Sequence, residues 1–556
     1  MYLPENGTVI FLSPHPDDEI ISSGALLGTL VQLGNTVTIH YLTSGSNEEM
    51  VVIREAEAIE VCERLGAIPI FHRMKADMDP ALAGERIAMT LLKLKPDLLF
   101  MPSPDDPHPT HKFSHVAGMH GIAKALYTGP ILHYSVWQPS QAPNALFTFS
   151  RERMLGKLEL LNSYRSQIAH HDFPSAIHGL NRFQNVMSES RSQTWEKGSG
   201  AKVSIERKGS ENDQNIETQE FAEAFSFHPG VQQTRVLCLG DIFLDILPEP
   251  VETNTVESST STIIWRSIGG NASNTAMSLE ALGTEAILYS VIGEDDRGRM
   301  IRNMIDGSIG CSFLLEKKNS HTATTIAISR KDGSRHFISD FGCLSRFESH
   351  DLPIYDAESW GKFLHVHRAG FFWLPGLRTR NRDLLTFAKH CGLTTSLDIG
   401  TPIGLVHPSH PWDAGDRSDI TGLLDSVDIF FGNEVEVRGV AGVSATTPLS
   451  EAATMLLGDG TRYVVIHRGD TGASLFSDTK VLHCRARSII PRNPTGAGDI
   501  FNAGFIHQFI RKKPLKRCLA FAVAAGTRHV EDPGKPYPSE AEVMESTEIQ
   551  RSSGGE

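Results

Sequence analysis

Paired thiols, long apolar runs and a basic excess are all missing from this chain of 556 residues. Its seven cysteines (Cys62, Cys238, Cys311, Cys343, Cys391, Cys484 and Cys518) are odd in number and scattered, with no Cys-x-x-Cys among them. That pattern indicates neither a disulfide framework nor a thiolate zinc site, and it makes a reducing cytoplasm the simplest home. No run of about 18 apolar residues occurs, so no membrane span is expected. The opening residues, Met1-Tyr2-Leu3-Pro4-Glu5-Asn6-Gly7, lack the basic segment and apolar core of a secretion signal. A net charge of −14 argues against a nucleic-acid partner, which calls for a basic face. No Gly-x-x-x-x-Gly-Lys-Ser/Thr is present, which argues against a P-loop phosphate cradle. What remains is an ordinary globular composition, 40% hydrophobic and 21% charged, too long for one core and expected to form two domains or three.

Over the first 130 residues, short apolar runs alternate with helical periodicity: strands at Thr8–Leu12, Thr36–Leu42, Pro69–His72 and Asp97–Pro102, helices near Glu19–Leu33, Arg54–Leu65 and Ala81–Leu94. This alternation predicts a parallel sheet covered by helices, with ligands at the carboxyl ends of its strands. Two polar loops, Ser13–Glu19 and Ser103–His111, follow predicted strands directly. From about 188 to 218 the chain turns polar and apolar-poor and reads as an insertion or linker. A new strand at Arg235–Leu239 opens the second half, so the boundary is placed near 230. The Gly/Ser-rich end, 541–556, is expected to fray as a disordered tail.

His15-Pro16-Asp17-Asp18-Glu19 puts one imidazole and three carboxylates into five residues, a charge density that is costly to bury without a cation or partner. Asp106-Pro107-His108-Pro109-Thr110-His111 adds two imidazoles at another strand end. Two histidines and a carboxylate can hold a metal with positions left for water, a catalytic rather than structural pattern, and a spare carboxylate can act as base. Either loop alone reads equally well as polar surface, with Asp-Asp serving a helix start.

Ser13-Pro14-His15-Pro16-Asp17-Asp18-Glu19 with His108-Pro109-Thr110-His111 resembles the LmbE-like, or PIG-L, family of N-acetylglucosaminyl deacetylases. Arg54, Glu57, Tyr164-Arg165-Ser166-Gln167 and Ala222-Glu223-Ala224-Phe225 are weaker landmarks of the same family. The resemblance implies a Rossmann-like domain over 1–229. It also implies His15, Asp18 and His111 as metal ligands, Asp17 as general base, and His108 stabilising the oxyanion or protonating the leaving amine. Zinc is the implied metal, and the donor set also suits Fe(II). Thr110 stands where the family usually carries Asp, which weakens support behind the histidines. His115, one turn beyond His111, is a competing ligand, with a helix-surface role favoured.

In the second half, Asn493-Pro494-Thr495-Gly496-Ala497-Gly498-Asp499 precedes an apolar helix. Glycines there let backbone N–H groups gather round an anion at a helix start. Asp499 would be repelled by phosphate, so its presence points to accepting a proton from a hydroxyl that attacks a γ-phosphate. Asn433-Glu434-Val435-Glu436 follows the strand Val427–Phe431 and is suited to ordering Mg²⁺ and its waters. Arg468-Gly469-Asp470-Thr471-Gly472 follows the strand Tyr463–His467, and Gly269-Gly270-Asn271-Ala272-Ser273-Asn274 opens a helix near the start of the half.

In this order and spacing these segments are similar to the PfkB, or ribokinase-like, carbohydrate kinases over 233–540. The resemblance implies a ribokinase-like α/β fold with a small β lid and makes Asp499 the base. It makes the amides of Gly496, Ala497 and Gly498 the anion hole, and gives Mg-ATP to Asn433 and Glu436 with Arg468, Gly469 and Gly472 bordering the nucleotide. Asp245, Gly270, Asn271 and Asn274 are implied to face the sugar, and Asp241 to be a turn residue with some substrate role. Asn493 replaces an Asp that helps hold a monovalent cation in the family, so potassium activation is left open. Asp398-Ile399-Gly400 departs from an Asp-x-Asn pattern. Family members often dimerise through lid strands, placed here within 255–265 and 322–340.

The expected whole is therefore a two-domain α/β bifunctional enzyme acting on small-molecule sugars and ATP. It removes the N-acetyl group of an amino sugar or its glycoside and phosphorylates a sugar hydroxyl. Two alternatives stand beside it: one half is an idle binding or regulatory module, or the halves act on unrelated substrates, such as a nucleoside for the kinase.

Overall fold

The computed structural model describes residues 2–43, 48–139, 143–169, 171–194, 203–205, 220–228, 236–248, 263–305, 311–329, 335–400, 414–489, 495–531 and 537–553. The chain divides into two compact units, Met1–Gln232 and Gln233–Glu556.

In the first unit the strands are β1 (Thr8–Ser13), β2 (Thr36–Tyr41), β3 (Ile68–Phe71), β4 (Leu98–Pro102), β5 (Ile131–Tyr134), β6 (Ala145–Phe149), β7 (Val203–Ser204) and β8 (Phe221–His228). They form one sheet in the order β3-β2-β1-β4-β5-β8-β6-β7. β1 to β5 run parallel, and β8 is antiparallel to both of its neighbours. Val9 to Leu12 of β1 and Leu98 to Met101 of β4 are all buried, as continuous apolar strands covered on both faces must be. The chain leaves β1 towards β2 on one side and returns to β4 on the other. Ligands favour such a reversal point, and both polar loops start there. The helix Phe173–Thr194 runs into the polar stretch expected from 188, and β7 lies within it. Residues 195–202 and 206–219 lie outside the described residues.

The helix Asp18–Gln32 carries the acidic residues at its start and breaks its regular geometry at Ser23, where φ is −139°. Just beyond the break, the N–H groups of Ala25 and Leu26 donate to Glu223 of β8, each at 3.0 Å. Lys157 Nζ lies 2.7 Å from the same carboxylate and 3.0 Å from Asn181 Oδ1, and Lys157 and Glu223 are both fully buried. The carboxylate thus caps the second half of a kinked helix, with a lysine to balance its charge.

The strands of the second unit are β9 (Val236–Leu239), β10 (Phe243–Pro248), β11 (Ile264–Gly269), β12 (Ala286–Gly293), β13 (Cys311–Lys317), β14 (Thr324–Ser329) and β15 (Arg335–Asp340). β16 (His365–Ala369), β17 (Thr394–Asp398), β18 (Ile429–Asn433), β19 (Tyr463–His467), β20 (Ala473–Phe476) and β21 (Val481–Cys484) complete them. The main sheet runs β13-β12-β9-β16-β17-β18-β19-β20-β21, and β11-β10-β14-β15 form a separate small sheet. The order again reverses beside the first strand, between β9 and β16. Of the lid segment expected within 255–265, only residues from 263 are described.

The end of the chain corrects its sequence reading. Instead of fraying from 541, it forms the helix Glu540–Ser553, with Val543 fully buried in the core. Ser539 and Glu542 start it: the Ser539 N–H and hydroxyl both donate to Glu542 Oε2, at 2.8 and 2.6 Å. That Ser-x-x-Glu spacing is a readable helix start, hidden by the polar residues that follow.

Removing the carboxylate that caps the kinked helix should strand Lys157 in the core. Glu223→Ala is expected to lower the stability of the N-terminal unit by about 3–5 kcal/mol in chemical denaturation, with Glu223→Gln less damaging. A loss below 1 kcal/mol for Glu223→Ala would show that the pair is dispensable.

Candidate functional sites

At the β1–β4 junction, the ligating nitrogens of His15, His108 and His111 all lie within 4.8 Å of one another. Asp18 Oδ2 lies 3.2 Å from both His15 Nδ1 and His111 Nε2. Among the described residues, His108 Nδ1 has no hydrogen-bond partner, and the nitrogens of the fully buried His111 face only the carboxylates of Asp18 and Asp106. Three imidazoles and a carboxylate gathered in this way are the donor set of a divalent cation that favours nitrogen and oxygen. The arrangement brings His108 alongside the three candidate ligands expected from sequence.

Charge in this pocket is set by its own members. Burial acts against the ionised Asp18, yet the facing His111 and His15 hold it well below the usual carboxylate range. Burial likewise disfavours the His111 imidazolium, but Asp18 and Asp106 raise it to about 10. Asp17 is pushed well up by burial and by Asp18, with Arg54, 4.0 Å away, opposing. Its φ of 113° is unusual for a residue with a side chain and holds it at the helix start in a strained backbone. Glu19 is raised by burial to about 7 while accepting from Tyr164 Oη and from the Asp17 N–H.

A residue given no role in the sequence analysis completes the pocket. Asp106, wholly buried, accepts from the N–H of His108 at 3.1 Å and places its other oxygen 3.2 Å from His111 Nδ1. His115 lies apart from the cluster, with Nδ1 2.9 Å from the Pro102 carbonyl.

In the second unit, Asp499 sits in the first turn of the helix Ala497–Phe509, preceded by Gly496 at φ 81°. Asn271 Nδ2 donates to one Asp499 oxygen at 3.1 Å and Asn274 Nδ2 to the other at 2.9 Å. Trp373 Nε1 and Tyr537 Oη in turn donate to the amide oxygens of Asn271 (3.3 Å) and Asn274 (3.1 Å). Burial and the nearby Asp398 push Asp499 well up, against the two amides. Asp398 itself accepts from Asn502 Nδ2 at 2.5 Å and from the Gly400 N–H at 2.9 Å. Asp241 accepts from the N–H groups of Asn271 and Ala272, at 3.0 and 3.1 Å, and so serves the start of that helix. Burial and Asp241 raise Asp245 to about 7.

A local explanation exists for Asn433 and Glu436. Asn433 Oδ1 accepts from the N–H groups of Val435 and Glu436 at 2.9 Å, and Glu436 Oε2 accepts from the Asn433 N–H at 2.7 Å. This reciprocal cap orients both side chains at the carboxyl end of β18. Arg468 Nε donates to Glu434 Oε1 at 2.9 Å, and the backbone turns through Gly469 and Gly472 at φ 55° and 101°. Gly498 backs directly onto His467, which precedes Arg468. Asn493 lies outside the described residues.

The profile of the pfkB family carbohydrate kinases matches residues 233–542, more than half of the chain. The chain belongs to the pfkB family. Residues 10–122 match the GlcNAc-PI de-N-acetylase profile, so a PIG-L domain precedes the pfkB domain. A nucleoside kinase of Methanothermobacter thermautotrophicus is 28% identical over 300 residues, covering 53% of this chain and 86% of that protein. A ribokinase of Arabidopsis thaliana is 27% identical over 310 residues, covering 53% and 74%. A solved structure of Arabidopsis thaliana ribokinase with ribose and ATP has 23% identity and a TM-score of 0.48, covering 57% of this chain and 99% of that one. No helix among the described residues is long and apolar enough to cross a membrane.

The PIG-L domain should bind a divalent metal through the clustered imidazoles. Chelator competition is expected to show His15→Ala and His111→Ala each weakening zinc affinity by about 100-fold or more, beyond what loss of an outer partner usually costs. His115→Ala should stay within about threefold of the parent. Equal losses in all three variants would contradict the assigned cluster.

Proposed function

We propose that the chain is a bifunctional enzyme: a metal-dependent deacetylase of an acetamido sugar or its glycoside, joined to an ATP-dependent kinase of a sugar hydroxyl. The observation that carries this reading is the same in each half. A buried carboxylate with a raised pKa stands at the point of strand reversal, next to groups suited to hold the reacting centre.

In the PIG-L domain His15, Asp18 and His111 hold the metal, with His108 beside them. Zinc or Fe(II), when bound, supplies Lewis-acid polarisation and a more acidic water. Asp17 accepts the proton of the attacking water, and Arg54 steadies its charge. His108 faces the developing oxyanion or delivers a proton to the leaving amine. In the pfkB domain Asp499 takes the proton of the sugar hydroxyl. The amides of Gly496, Ala497 and Gly498 receive the transferring phosphoryl group at a helix start. Asn433 and Glu436 order Mg²⁺ and its waters, Arg468, Gly469 and Gly472 border ATP, and Asp245, Gly270, Asn271 and Asn274 bind the sugar.

A nucleoside acceptor is a second reading for the kinase. Phe341 stacks on Trp373 with ring centres 5.3 Å apart, Phe243 meets both edge-on, and Trp373 bonds to Asn271 beside Asp499. Such a wall suits an aromatic base as well as the C–H face of a sugar, and one similar protein is a nucleoside kinase. The exposed Ile264, Trp265, Phe337 and Ile338 of the small sheet support a homodimer through the lid. Six described cysteines without disulfides accord with the cytoplasm.

Acetate release and sugar phosphate formation, followed by mass spectrometry over acetamido sugars, free sugars and nucleosides, test the assignment. Asp17→Asn should cut acetate release by about 10²–10⁴-fold and leave phosphorylation intact, and Asp499→Asn should do the reverse. Loss of neither activity would refute the two bases, and absence of both products with the parent enzyme would refute the bifunctional reading. The pH profile gives a separate check. Asp499 works ionised and its pKa is raised, so phosphorylation should fail on acidification well above about 4, the ordinary carboxylate range.

A further inference from the structure

At the mouth of the imidazole cluster stands an aromatic that neither half-reaction uses. Trp137 is 50% exposed, and its indole lies nearly parallel to the His108 ring, with centres 5.2 Å apart and planes at 15°. A single exposed indole is ordinarily of no consequence. This one is anchored. The N–H groups of Val136 and Trp137 donate to Asp106 Oδ2, at 2.9 and 3.3 Å. The same buried carboxylate accepts from the His108 N–H and lies 3.2 Å from His111 Nδ1. One side chain therefore sets the register of two metal-cluster histidines and of the indole beside them. Thr110, where an acidic residue was expected behind the histidines, leaves this task to Asp106.

We propose that Trp137 is the ring-binding face of a saccharide subsite at the His15–His108–His111 cluster, with Asp106 as its positioning residue. The proposal rests on the deacetylase reading for its substrate class. A pyranose ring has a C–H-rich face that lies flat on an indole while its hydroxyls point to water, which matches an aromatic that is half open and half packed. One indole face packs on His108, so a ring on the open face reaches the cluster with an acetamido substituent that passes the indole edge, within one ring's breadth of His108. Asp106 does not touch the sugar. It acts by holding the Trp137 backbone and His111 in one register, as outer carboxylates do for metal-bound histidines.

The test uses the full chain loaded with zinc and the methyl glycoside of N-acetylglucosamine as probe. Binding is read by saturation-transfer NMR and turnover by acetate release, with metal affinity measured separately on the metal-free protein. Trp137→Ala should weaken probe binding and raise KM about tenfold, the scale of one aromatic contact, with kcat changed by less than about threefold and zinc affinity unaltered. Trp137→Phe should restore most of the binding. Asp106→Asn should weaken zinc affinity about 10–100-fold and impair probe binding as well. Probe binding within twofold of the parent in metal-replete Trp137→Ala would overturn the subsite, as would a parent enzyme that binds no probe. Unaltered zinc affinity in Asp106→Asn would overturn the positioning role. The underlying reading fails differently: a parent enzyme that binds the probe through Trp137 but releases no acetate loses the reaction and keeps the subsite.

Discussion

Burying several carboxylates where a parallel sheet reverses its strand order is the constraint around which both halves are arranged. An ionised carboxylate without partners is too costly to keep in a protein interior, so each one found there identifies its stabiliser. In the PIG-L domain Asp18 is held by two imidazoles, Asp106 by three backbone N–H groups with His111 alongside, and Glu19 by Tyr164. In the pfkB domain Asp241 takes two N–H groups of a helix start, Asp398 an amide and a turn N–H, and Asp499 two asparagine amides. Asp17 and Asp499 are nonetheless pushed well up from the ordinary range, Asp17 by burial and Asp18, Asp499 by burial and Asp398. Raised carboxylate pKa values beside a ligand cluster or a glycine-rich helix start are what proton acceptance at neutral pH needs.

Much of the architecture was legible beforehand. Apolar runs of four to six residues alternating with helical periodicity leave little choice but a covered parallel sheet, and the polar loops at its strand ends mark the sites. Helix ends were less legible. The second helix begins at Glu48 rather than near Arg54, and the final helix was missed because a short capping signal preceded a run of polar residues. Glu223 illustrates a different difficulty. It stood out as a family landmark, but its task depends on a break at Ser23 some 200 residues earlier, with Lys157 and Asn181 from two further helices.

The candidate sites divide along similar lines. His15, Asp17, Asp18, His108 and His111 are dense in sequence and unusual in chemistry, so composition alone draws attention to them. Asp398, Asn502, Trp373 and Tyr537 are not. Asp398 and Trp373 reach the surroundings of Asp499 from about a hundred residues earlier or more, Tyr537 from beyond the next helix, and Asn502, in the same helix as Asp499, through its bond to Asp398. Asn433 and Glu436 show the opposite hazard, since a spacing suited to ordering a cation is also the spacing of a helix cap.

By itself the sequence determined the two-part α/β organisation, the families and the candidate side chains for each site, because periodicity, turn chemistry and clustered charge are local properties. Only the tertiary structure decided that His108 comes within a few ångströms of His15 and His111, that Asp106 stands behind His111, and that Trp137 lies against His108. The reason is physical. Hydrogen bonding, desolvation and ring stacking act over a few ångströms of space, whatever the separation along the chain, and the folded sheet alone brings these groups within that range.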